Sequence, residues 1–373
     1  MPSAIRLHSV IASTFAIPFT TRFRHASAER AETSSVWVEA ASAAGVTGYG
    51  ESCPRPYVTS ETLSSAEAFV HRHAGPACRA VTDLASLDDY AQRQSADLDA
   101  NPAAWCAIEL AVLDLLAKTQ REPIEALLGL PPLAGPFHYS AVLGDAEPDA
   151  FARHAERYLA MGFRDFKVKL CGDLARDRGK LDVLWAVADV RVRVDANNLW
   201  READVAAGYL RALGGTIAAV EEPLAPGDVQ GLALVAGQCG VPIVLDESVV
   251  RASQLAALPG EAATWIVNVR VSKMGGLRRS LDVVAAVRAA GLRMVVGAQV
   301  GETSLLTRAA LTVAQAAGAT LFAQEGAFGT FLLTRDVCDP PLMFGPAGVL
   351  HVTDHPRLRE PGFGIASVPA AGT

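Results

Sequence analysis

The chain has 373 residues, too many for one ordinary domain, so two domains or a barrel with an appended domain are expected. Half of the residues are hydrophobic and a fifth are charged, which is typical of a globular protein with a large core. The net charge of −7 argues against a nucleic-acid partner and against binding to an anionic membrane surface.

The six cysteines are scattered, without C-x-x-C spacing and without a zinc pattern. This usage predicts free thiols and a cytoplasmic protein. The first residues lack the apolar core of a signal peptide, so none is expected. No apolar run approaches the roughly 20 residues that cross a bilayer.

Residues 1–132 are predicted to form an α+β domain. Ile5–Ile17 alternates loosely, and Ser34–Glu39 with Gly45–Glu51 predicts a hairpin with glycine turns. The pattern then becomes helical. The clearest helix begins at Asn101–Pro102, a capping residue followed by proline at the first helical position, and it is apolar nearly all round.

Residues 133–335 alternate short β-rich runs with Ala- and Leu-rich helical segments, which predicts a parallel sheet. Eight such units predict a closed (β/α)₈ barrel; a doubly wound sheet is the alternative, but no glycine-rich phosphate fingerprint follows any run. Residues 336–373 are expected to return to the N-terminal domain. The eight runs are His138–Leu143, Asp165–Leu170, Val190–Ala196, Ala218–Leu224, Val241–Ser248, Trp265–Lys273, Arg293–Val300 and Thr320–Gly326.

Acidic residues end three successive predicted strands, at Asp195, Glu221 and Asp246. Equivalent positions on neighbouring barrel strands lie side by side at the C-terminal mouth, where barrel active sites are found. Three converging carboxylates repel one another unless a cation lies among them, and all-oxygen ligation suits Mg²⁺ first and Mn²⁺ second. For any one of these residues the alternative is an acid that caps the next helix.

Two lysines, Lys167 and Lys169, lie on the same side of the preceding predicted strand. Two inward ammonium groups are costly unless anions are near, and the three carboxylates with a substrate carboxylate would supply them. A lysine whose pKa is lowered by other cations can act as a base. The alternative is a pair of exposed lysines at the barrel edge.

These motifs together resemble the enolase superfamily, and within it the muconate lactonizing enzyme branch of the mandelate racemase/muconate lactonizing enzyme family. The resemblance covers nearly the whole chain and implies an isomerase or lyase with a (β/α)₈ barrel and an N-terminal α+β capping domain completed by the C-terminal tail. The motifs are Lys167-Val-Lys169, Asp195-Ala-Asn197, Glu221-Glu-Pro223, Leu245-Asp-Glu-Ser248, Gly48-Tyr-Gly-Glu51 with Pro54–Glu61, Met274-Gly-Gly276 and Glu325.

The resemblance implies abstraction of the proton α to a carboxylate, with Mg²⁺ stabilising the enolate. By this resemblance the metal ligands are Asp195, Glu221 and Asp246, the base is Lys169 with Lys167 as its electrostatic partner, Glu222 faces away, and Glu247, Asn197 and Asn198 support the ligands.

The sixth strand departs from the family pattern, because Arg270 stands where members usually have a lysine. Arginine stays protonated and is a poor proton shuttle. In one interpretation, which we favour, Arg270 clamps the substrate or its enolate in a one-base reaction. In the other, the strand end turns Lys273 inward and restores a two-base racemase or epimerase of an amino acid derivative or dipeptide, although alternation places Lys273 on the opposite side.

Other candidates are weaker. Glu325 and Gln299 are expected to face the site, with a helix cap as the alternative for Glu325. A loop at Phe19–Glu29 and the segment Cys53–Tyr57 are expected to cover the barrel mouth. Within these loops the candidate substrate contacts are His25 and Tyr57, with Arg55 offering polarity, while Arg22 and Arg24 could bind a second carboxylate or be solvated; His71 and His73 are predicted to be surface residues on a helix.

The leading function is therefore an isomerase or cycloisomerase of a small carboxylic acid that forms a metal-stabilised enolate. A dehydratase, in which the same enolate expels a β-hydroxyl group, is an alternative. A barrel that only binds a ligand is a third, against which the intact Lys167 and Lys169 argue. A small-molecule carboxylate is the expected partner, and a homo-oligomer is expected from the resemblance alone.

Overall fold

The computed structural model describes residues 5–25 and 28–365, without the side chains of residues 22–29. The N-terminal part is an α+β unit with a three-stranded antiparallel sheet. The strands of this unit are β1 (Leu7–Phe15), β2 (Pro18–His25), β3 (Ala28–Glu32), β4 (Ser35–Ser42) and β5 (Thr47–Ser52). The three-stranded sheet contains β1, β4 and β5, and β2 pairs with β3. Its helices are α1 (Pro56–Thr59), α2 (Leu63–Ala80), α3 (Leu84–Arg93), α4 (Ser95–Ala100), α5 (Pro102–Gln120) and α6 (Ile124–Leu127).

The prediction of a loop at Phe19–Glu29 is wrong, because this segment forms the antiparallel strand pair β2–β3. The barrel supplies backbone partners for β2. Thr20 N donates to Leu332 O at 2.7 Å, and Thr334 N donates to Pro18 O at 2.9 Å. These contacts join residues more than 300 positions apart, so the local sequence carries no signal for them.

Helix α5 lies at the centre of the N-terminal unit and is buried nearly all round, as predicted. Strand β5 approaches it through two glycines. A Cβ atom at Gly48 would lie 2.2 Å from Ala111 O, and one at Gly50 would lie 2.0 Å from Ala107 O. Because no side chain fits at either position, the two glycines fix the close packing of sheet against helix.

The N-terminus of α5 is capped by a different side chain from the one expected. Asn101 occupies the N-cap position, but its side chain makes no cap hydrogen bond and instead donates to Asp97 O at 2.9 Å. The distant carboxylate of Glu61 accepts from Ala103 N at 2.9 Å and from Ala104 N at 2.8 Å. A carboxylate at a helix N-terminus also complements the helix dipole.

The predicted (β/α)₈ barrel is confirmed: eight parallel strands follow one another in chain order, and a hydrogen bond from Ser140 N to Gln324 O at 2.8 Å joins the first to the last. The barrel strands are β7 (Ala141–Leu143), β8 (Asp165–Lys169), β9 (Arg191–Asp195), β10 (Val220–Glu221), β11 (Ile243–Leu245), β12 (Trp265–Val269), β13 (Arg293–Val296) and β14 (Leu321–Gln324). The helices are α7 (Pro148–Ala160), α8 (Leu174–Trp185), α9 (Ala203–Leu213), α10 (Val229–Cys239), α11 (Val271–Met274), α12 (Leu277–Ala289) and α13 (Ser304–Ala317).

The sixth barrel strand ends earlier than predicted. The run was expected to reach Lys273, but β12 stops at Val269 and the single-turn helix α11 follows. Gly275 and Gly276 leave this turn with φ values of +88° and +106°, which favour glycine. The strand alternation therefore no longer governs where Lys273 points.

The C-terminal segment returns to the N-terminal unit, as predicted. It first adds strand β15 (Val349–Leu350) to the short strand β6 (Phe137–His138). It then binds the end of α5 and the start of α6. Gly362 N donates to Glu122 O at 2.9 Å, and Phe363 N donates to the buried Asp114 Oδ1 at 2.7 Å.

All six cysteines are unpaired, as expected. None of the helices in the described ranges combines the length and apolar character that a membrane crossing requires.

Candidate active site

The three predicted metal ligands lie at the C-terminal ends of adjacent barrel strands. Asp195 and Glu221 are partners in the register of β9 and β10, and Asp246 directly follows β11. Their exposed fractions are 0%, 2% and 1%. Three buried carboxylates at one barrel mouth require positive charge nearby.

The chain supplies part of that charge itself. Lys167 Nζ lies 2.7 Å from Glu221 Oε1 and 3.2 Å from Asp195 Oδ2. Arg270 contacts Asp246 and lies 3.6 Å from Glu221 Oε1. With these cations interposed, no three Asp, Glu, His or Cys side chains in the described residues are arranged so that they could hold an ion as they stand.

The donor set nevertheless fits a hard divalent cation. Glu221 Oε2 and both carboxylate oxygens of Asp246 are buried, and within residues 5–25 and 28–365 they have ion pairs at most, with no hydrogen-bond partner of good geometry. Buried carboxylate oxygens in this condition are the ligands that Mg²⁺ prefers. At Asp195 burial raises the pKa, but Lys167 and Lys169 lower it more, so this carboxylate stays ionised.

The predicted base, Lys169, ends β8 and lines the cavity above the carboxylates. Its Nζ donates to Asp195 Oδ2 and to Asn197 Oδ1, both at 2.9 Å. Asn197 has a φ of +46°, in the left-handed region. On the backbone side, Lys180 Nζ donates to Lys169 O at 3.0 Å. The ammonium group is thus held at a fixed place on the cavity wall.

Lys167 lies on the same inward face of β8. Burial lowers its pKa, but Asp195 and Glu221 more than offset this, so the pKa lies above its usual value. Its third partner is Glu325 at 3.2 Å. Lys167 is therefore a permanent cation, consistent with its expected electrostatic role.

Arg270 stands across the cavity from Lys169. β12 and β8 are four positions apart in a ring of eight strands, and both residues line the same cavity. Arg270 Nη1 donates to Gln299 Oε1 at 3.1 Å, while its buried Nε has no hydrogen-bond partner among the described residues. Gln299, itself a predicted site residue, therefore orients Arg270 together with Asp246.

Lys273 does not line the cavity, and the alternative in which it turns inward is wrong for this structure. It is completely buried. Its Nζ donates to Asp246 O at 2.6 Å, Asn268 O at 2.7 Å and Val249 O at 3.0 Å. The turn α11 makes these contacts possible, and they assign Lys273 to holding the loop that carries Asp246.

Glu222 faces away from the cavity, as expected, and has a positioning role that the sequence does not show. Its carboxylate accepts from Asp246 N at 2.7 Å, from Ser248 N at 2.8 Å and from Ser248 Oγ at 2.8 Å. Glu247 lines the cavity instead. Burial, followed by Asp246 and Glu222, raises the pKa of Glu247 well above its usual value.

Glu325 faces the cavity, as expected, and is held by Lys167 and by Arg193, whose Nη1 donates to Glu325 Oε1 at 2.8 Å. Arg193 is a buried contributor missing from the sequence-based set. The alternation of Arg191-Val-Arg-Val-Asp195 places Arg193 on the same side of the strand as Asp195, so the sequence pattern does indicate that Arg193 faces the site.

The remaining predictions for residues near the site have different outcomes. Tyr57 lines the cavity, whereas the Arg55 side chain is buried and donates to Ser34 O and Val300 O. Asn198 Nδ2 donates to Leu224 O at 2.7 Å, away from the cavity lining. The side chains of Arg22, Arg24 and His25 lie outside the described part of the chain.

The surface prediction for His73 is wrong, whereas His71 is exposed as expected. His73 is buried, with Nδ1 2.7 Å from Tyr90 Oη and Nε2 2.8 Å from Asp97 Oδ2. Its carboxylate partner comes from a later helix, which the sequence around His73 cannot reveal.

The cavity has a volume of about 150 Å³. Its far wall was not predicted. It is formed by α7 and by the segment that follows β14, through His154, Arg157, Tyr158, Phe328 and Phe331.

A (β/α)₈ barrel with a separate cap, an acid at the ends of three adjacent strands and a Lys-x-Lys strand beside them defines an enolase-superfamily enzyme. The sequence model of the mandelate racemase/muconate lactonizing enzyme N-terminal domain matches residues 10–129, and the model of the enolase C-terminal domain-like group matches residues 150–370. The chain belongs to the mandelate racemase/muconate lactonizing enzyme family.

The individual relatives include epimerases and a lactonizing enzyme. The L-Lys-D/L-Arg epimerase of Methylococcus capsulatus is 31% identical over 91% of this chain and 95% of that protein. A dipeptide epimerase structure from the same organism, complexed with Mg and L-Arg-D-Lys, is 27% identical with a TM-score of 0.80, covering 96% of this chain and 99% of that one. Muconate lactonizing enzyme from Pseudomonas fluorescens, complexed with muconolactone, is 25% identical with a TM-score of 0.85, covering 98% and 97%.

Proposed function

We propose that the chain catalyses Mg²⁺-dependent removal of the proton α to a small carboxylate and returns a proton there, as a racemase or epimerase of a dipeptide or related amino acid derivative. The observation that carries the proposal is the placement of Lys169, fixed by Asp195 and Asn197 on the cavity wall beside three buried carboxylates. The names of the epimerase relatives support the substrate class.

The chain's own residues divide the work as follows. A Mg²⁺ ion bound by Asp195, Glu221 and Asp246 would supply positive charge for the substrate carboxylate. Lys169 accepts the α-proton on one face. Lys167 stays charged and balances the carboxylates, so that Lys169 need not do so when it works as a base.

The second face of the substrate meets Arg270. Epimerisation needs a proton donor on this face, and the Arg270 guanidinium, directly or through a bound water, is the group placed there. Arginine is a weak proton donor because its pKa is high. We therefore expect slow inversion relative to exchange of the proton that faces Lys169.

Arg270 also favours a second candidate, a one-base cycloisomerase or dehydratase. Here Arg270 holds negative charge on the substrate, and the enolate either closes a ring or expels a β-substituent.

The test measures exchange of the α-proton in D₂O with Mg²⁺ by NMR. The substrates are a panel of dipeptides and N-acyl amino acids, each in both configurations at the α-carbon. Exchange of both hands with interconversion is expected. Exchange of one hand, with a cyclised or dehydrated product, would favour the second candidate. No exchange with any member of the panel would overturn both.

Lys169→Ala is expected to abolish exchange in the stereoisomer whose α-proton faces Lys169. Lys118→Ala is the matched control, because Lys118 also contacts one carboxylate, Asp114 at 2.6 Å, but lies in the N-terminal unit. Arg270→Gln is expected to stop inversion while leaving single-hand exchange measurable.

A further inference from the structure

The barrel loop between β13 and α13 carries Gln299 and is held by the N-terminal unit. The buried guanidinium of Arg55 donates from Nη2 to Val300 O at 2.9 Å. Further along the loop, Thr303 donates to the Glu51 carboxylate from its backbone N at 3.2 Å and from Oγ1 at 2.5 Å. The conformation of this barrel loop therefore depends on contacts from outside the barrel.

The guanidinium of Arg55 joins two segments of the N-terminal unit to this loop. Arg55 is 1% exposed, and its Nη1 donates to Ser34 O at 2.8 Å and to Pro54 O at 2.9 Å, beside the bond from Nη2 to Val300 O. The rigid planar fork of a guanidinium fixes the relative places of the acceptors that it binds. A buried cation held by neutral carbonyls is costly to keep, which argues for a role beyond filling space.

The turn that begins at Arg55 also contributes to the cavity wall. Arg55 is the N-cap residue of α1, and its carbonyl accepts from Val58 N and from Thr59 N, both at 2.9 Å. Tyr57, within this turn, lines the same cavity as Arg270. Arg55 thus connects a turn on the cavity wall with the loop that follows β13.

Gln299 passes the constraint from this loop to Arg270. Gln299 is 2% exposed, its backbone N donates to Glu302 Oε1 at 2.6 Å, and its side-chain oxygen accepts from Arg270 Nη1 at 3.1 Å. Arg270 also contacts Asp246, a proposed metal ligand. Without the Gln299 contact, the carboxylates of the proposed metal site alone would orient the guanidinium. A displaced loop is therefore expected to turn Arg270 away from the substrate.

We propose that Arg55 is a positioning residue for the reaction. It fixes the loop after β13 through Val300, so that Gln299 holds Arg270 against the second face of the substrate. The inference rests on the proposed function for the role of Arg270 on that face. Loss of the Arg55 contacts then impairs the half of the reaction that depends on Arg270 and spares the half that Lys169 performs.

The test measures inversion and α-proton exchange separately in Arg55→Gln, with the same substrates in D₂O. The glutamine side chain ends near the place of Arg55 Nε and cannot reach Val300 O. For the stereoisomer whose α-proton faces Lys169, the ratio of inversion to exchange is expected to fall about tenfold, the factor that one hydrogen bond from a charged group contributes. A smaller fraction of folded protein would lower both rates equally and leave the ratio unchanged.

Arg278→Gln is the matched control. Arg278 also joins the barrel to the N-terminal unit, donating from Nε to Asp88 Oδ1 at 3.0 Å and from Nη2 to Asp88 Oδ2 at 2.7 Å, but it lies outside the cavity lining. The ratio in this variant should match wild type. If Arg55→Gln does not fold, Arg55→Lys, which keeps the charge but not the planar fork, takes its place in the assay.

A double variant tests whether Arg55 acts through Gln299. Gln299→Met alone is expected to lower the ratio of inversion to exchange, and adding Arg55→Gln should lower it no further, because both residues act on Arg270 by one path. The proposal is overturned if the ratio in Arg55→Gln equals that of wild type, if it falls equally in Arg278→Gln, or if the two effects multiply in the double variant.

A crystal structure of the Arg55 variant separates this inference from the proposed function. Loss of the contact between Arg270 Nη1 and Gln299 Oε1, in a protein whose wild type inverts no substrate, would retain the positioning role and reject the proposed function. A contact that stays near 3.1 Å, in a protein whose wild type does invert its substrate, would retain the function and reject the positioning role.

Discussion

Replacing Glu222 with glutamine is expected to weaken Mg²⁺ binding although Glu222 is not itself a proposed ligand. Its carboxylate accepts three hydrogen bonds from Asp246 and Ser248, at 2.7 to 2.8 Å. Asp246 is a proposed ligand, so the backbone that presents it depends on Glu222. Mutation of a residue that orients a ligand typically lowers metal affinity or activity by about 10- to 100-fold.

The magnitude follows from the three hydrogen bonds. Glutamine keeps one oxygen for the two backbone amides, whereas the Ser248 hydroxyl must turn round to accept from the new amide nitrogen. Burial raises the pKa of Glu222 to about 7, so the comparison applies at a pH above this value, where Glu222 is ionised. A hydrogen bond to a charged acceptor contributes about 1 kcal/mol more than a neutral one, so roughly 2–3 kcal/mol is then lost in total. We expect about half of this to appear as a roughly five- to tenfold increase in the Kd for Mg²⁺.

The assay is titration calorimetry with Mg²⁺ at constant ionic strength. Glu61→Gln is the matched control, because Glu61 is also a buried carboxylate that accepts two backbone amides, but at the N-terminus of α5. It should lower stability and leave the Kd unchanged. A Kd for Glu222→Gln within twofold of wild type, or an equal loss in Glu61→Gln, would refute the reasoning.

Three further predictions concern stability. Gly50→Ala is expected to cost at least about 2 kcal/mol by forcing β5 away from α5, whereas Gly237→Ala, which has open space around it, should be near neutral; thermal unfolding of both variants checks this. Arg308→Leu should cost about 3–5 kcal/mol because it leaves buried Glu125 unpaired, and the double variant with Glu125→Leu should recover most of it in denaturant titrations. Burial raises the pKa of Glu109 to about 8 from 4.5, so this group binds its proton more tightly in the folded state, and its contribution to stability falls as pH rises from about 4.5 to about 8. Glu109→Gln should flatten the pH profile of the melting temperature over that window; a profile parallel to wild type would contradict this.

The sequence predicts the barrel well because short β-rich runs alternate regularly with helical segments along the chain. Asp195, Glu221 and Lys169 are placed by strand alternation and by the repeat length of one β/α unit, both of which are local properties of the chain. The eight strands were therefore found at the right places, although all are shorter than predicted.

The errors share a physical cause, which is that long-range contacts override a local pattern. Lys273 reads as part of a strand, but the backbone carbonyls of Asp246 and Val249, which belong to an earlier loop, bind it in the turn α11. His73 reads as a surface residue until Asp97 and Tyr90 arrive from later helices. In each case the partner that decides the structure lies outside the window that a pattern covers.

The far cavity wall was missed for a different reason. Arg157 and His154 are ordinary polar residues of an amphipathic helix, and Phe331 belongs to a single turn after β14. Only the closure of the barrel brings them to one side of the cavity. Cavity residues that lie on the surrounding helices and turns therefore leave a much weaker trace in the sequence than acids at strand ends.

The return of the C-terminal segment to α5 and α6 has a consequence for biosynthesis and engineering. The amide of Phe363 satisfies Asp114, and Gly362 pairs with Glu122, so the N-terminal unit lacks these contacts until the last part of the chain has been made. During translation, the N-terminal unit can form these contacts only after the whole barrel has emerged from the ribosome. A chimera that exchanges specificity between family members must therefore graft both chain ends together, since a transplanted N-terminal segment alone would carry an unfinished edge.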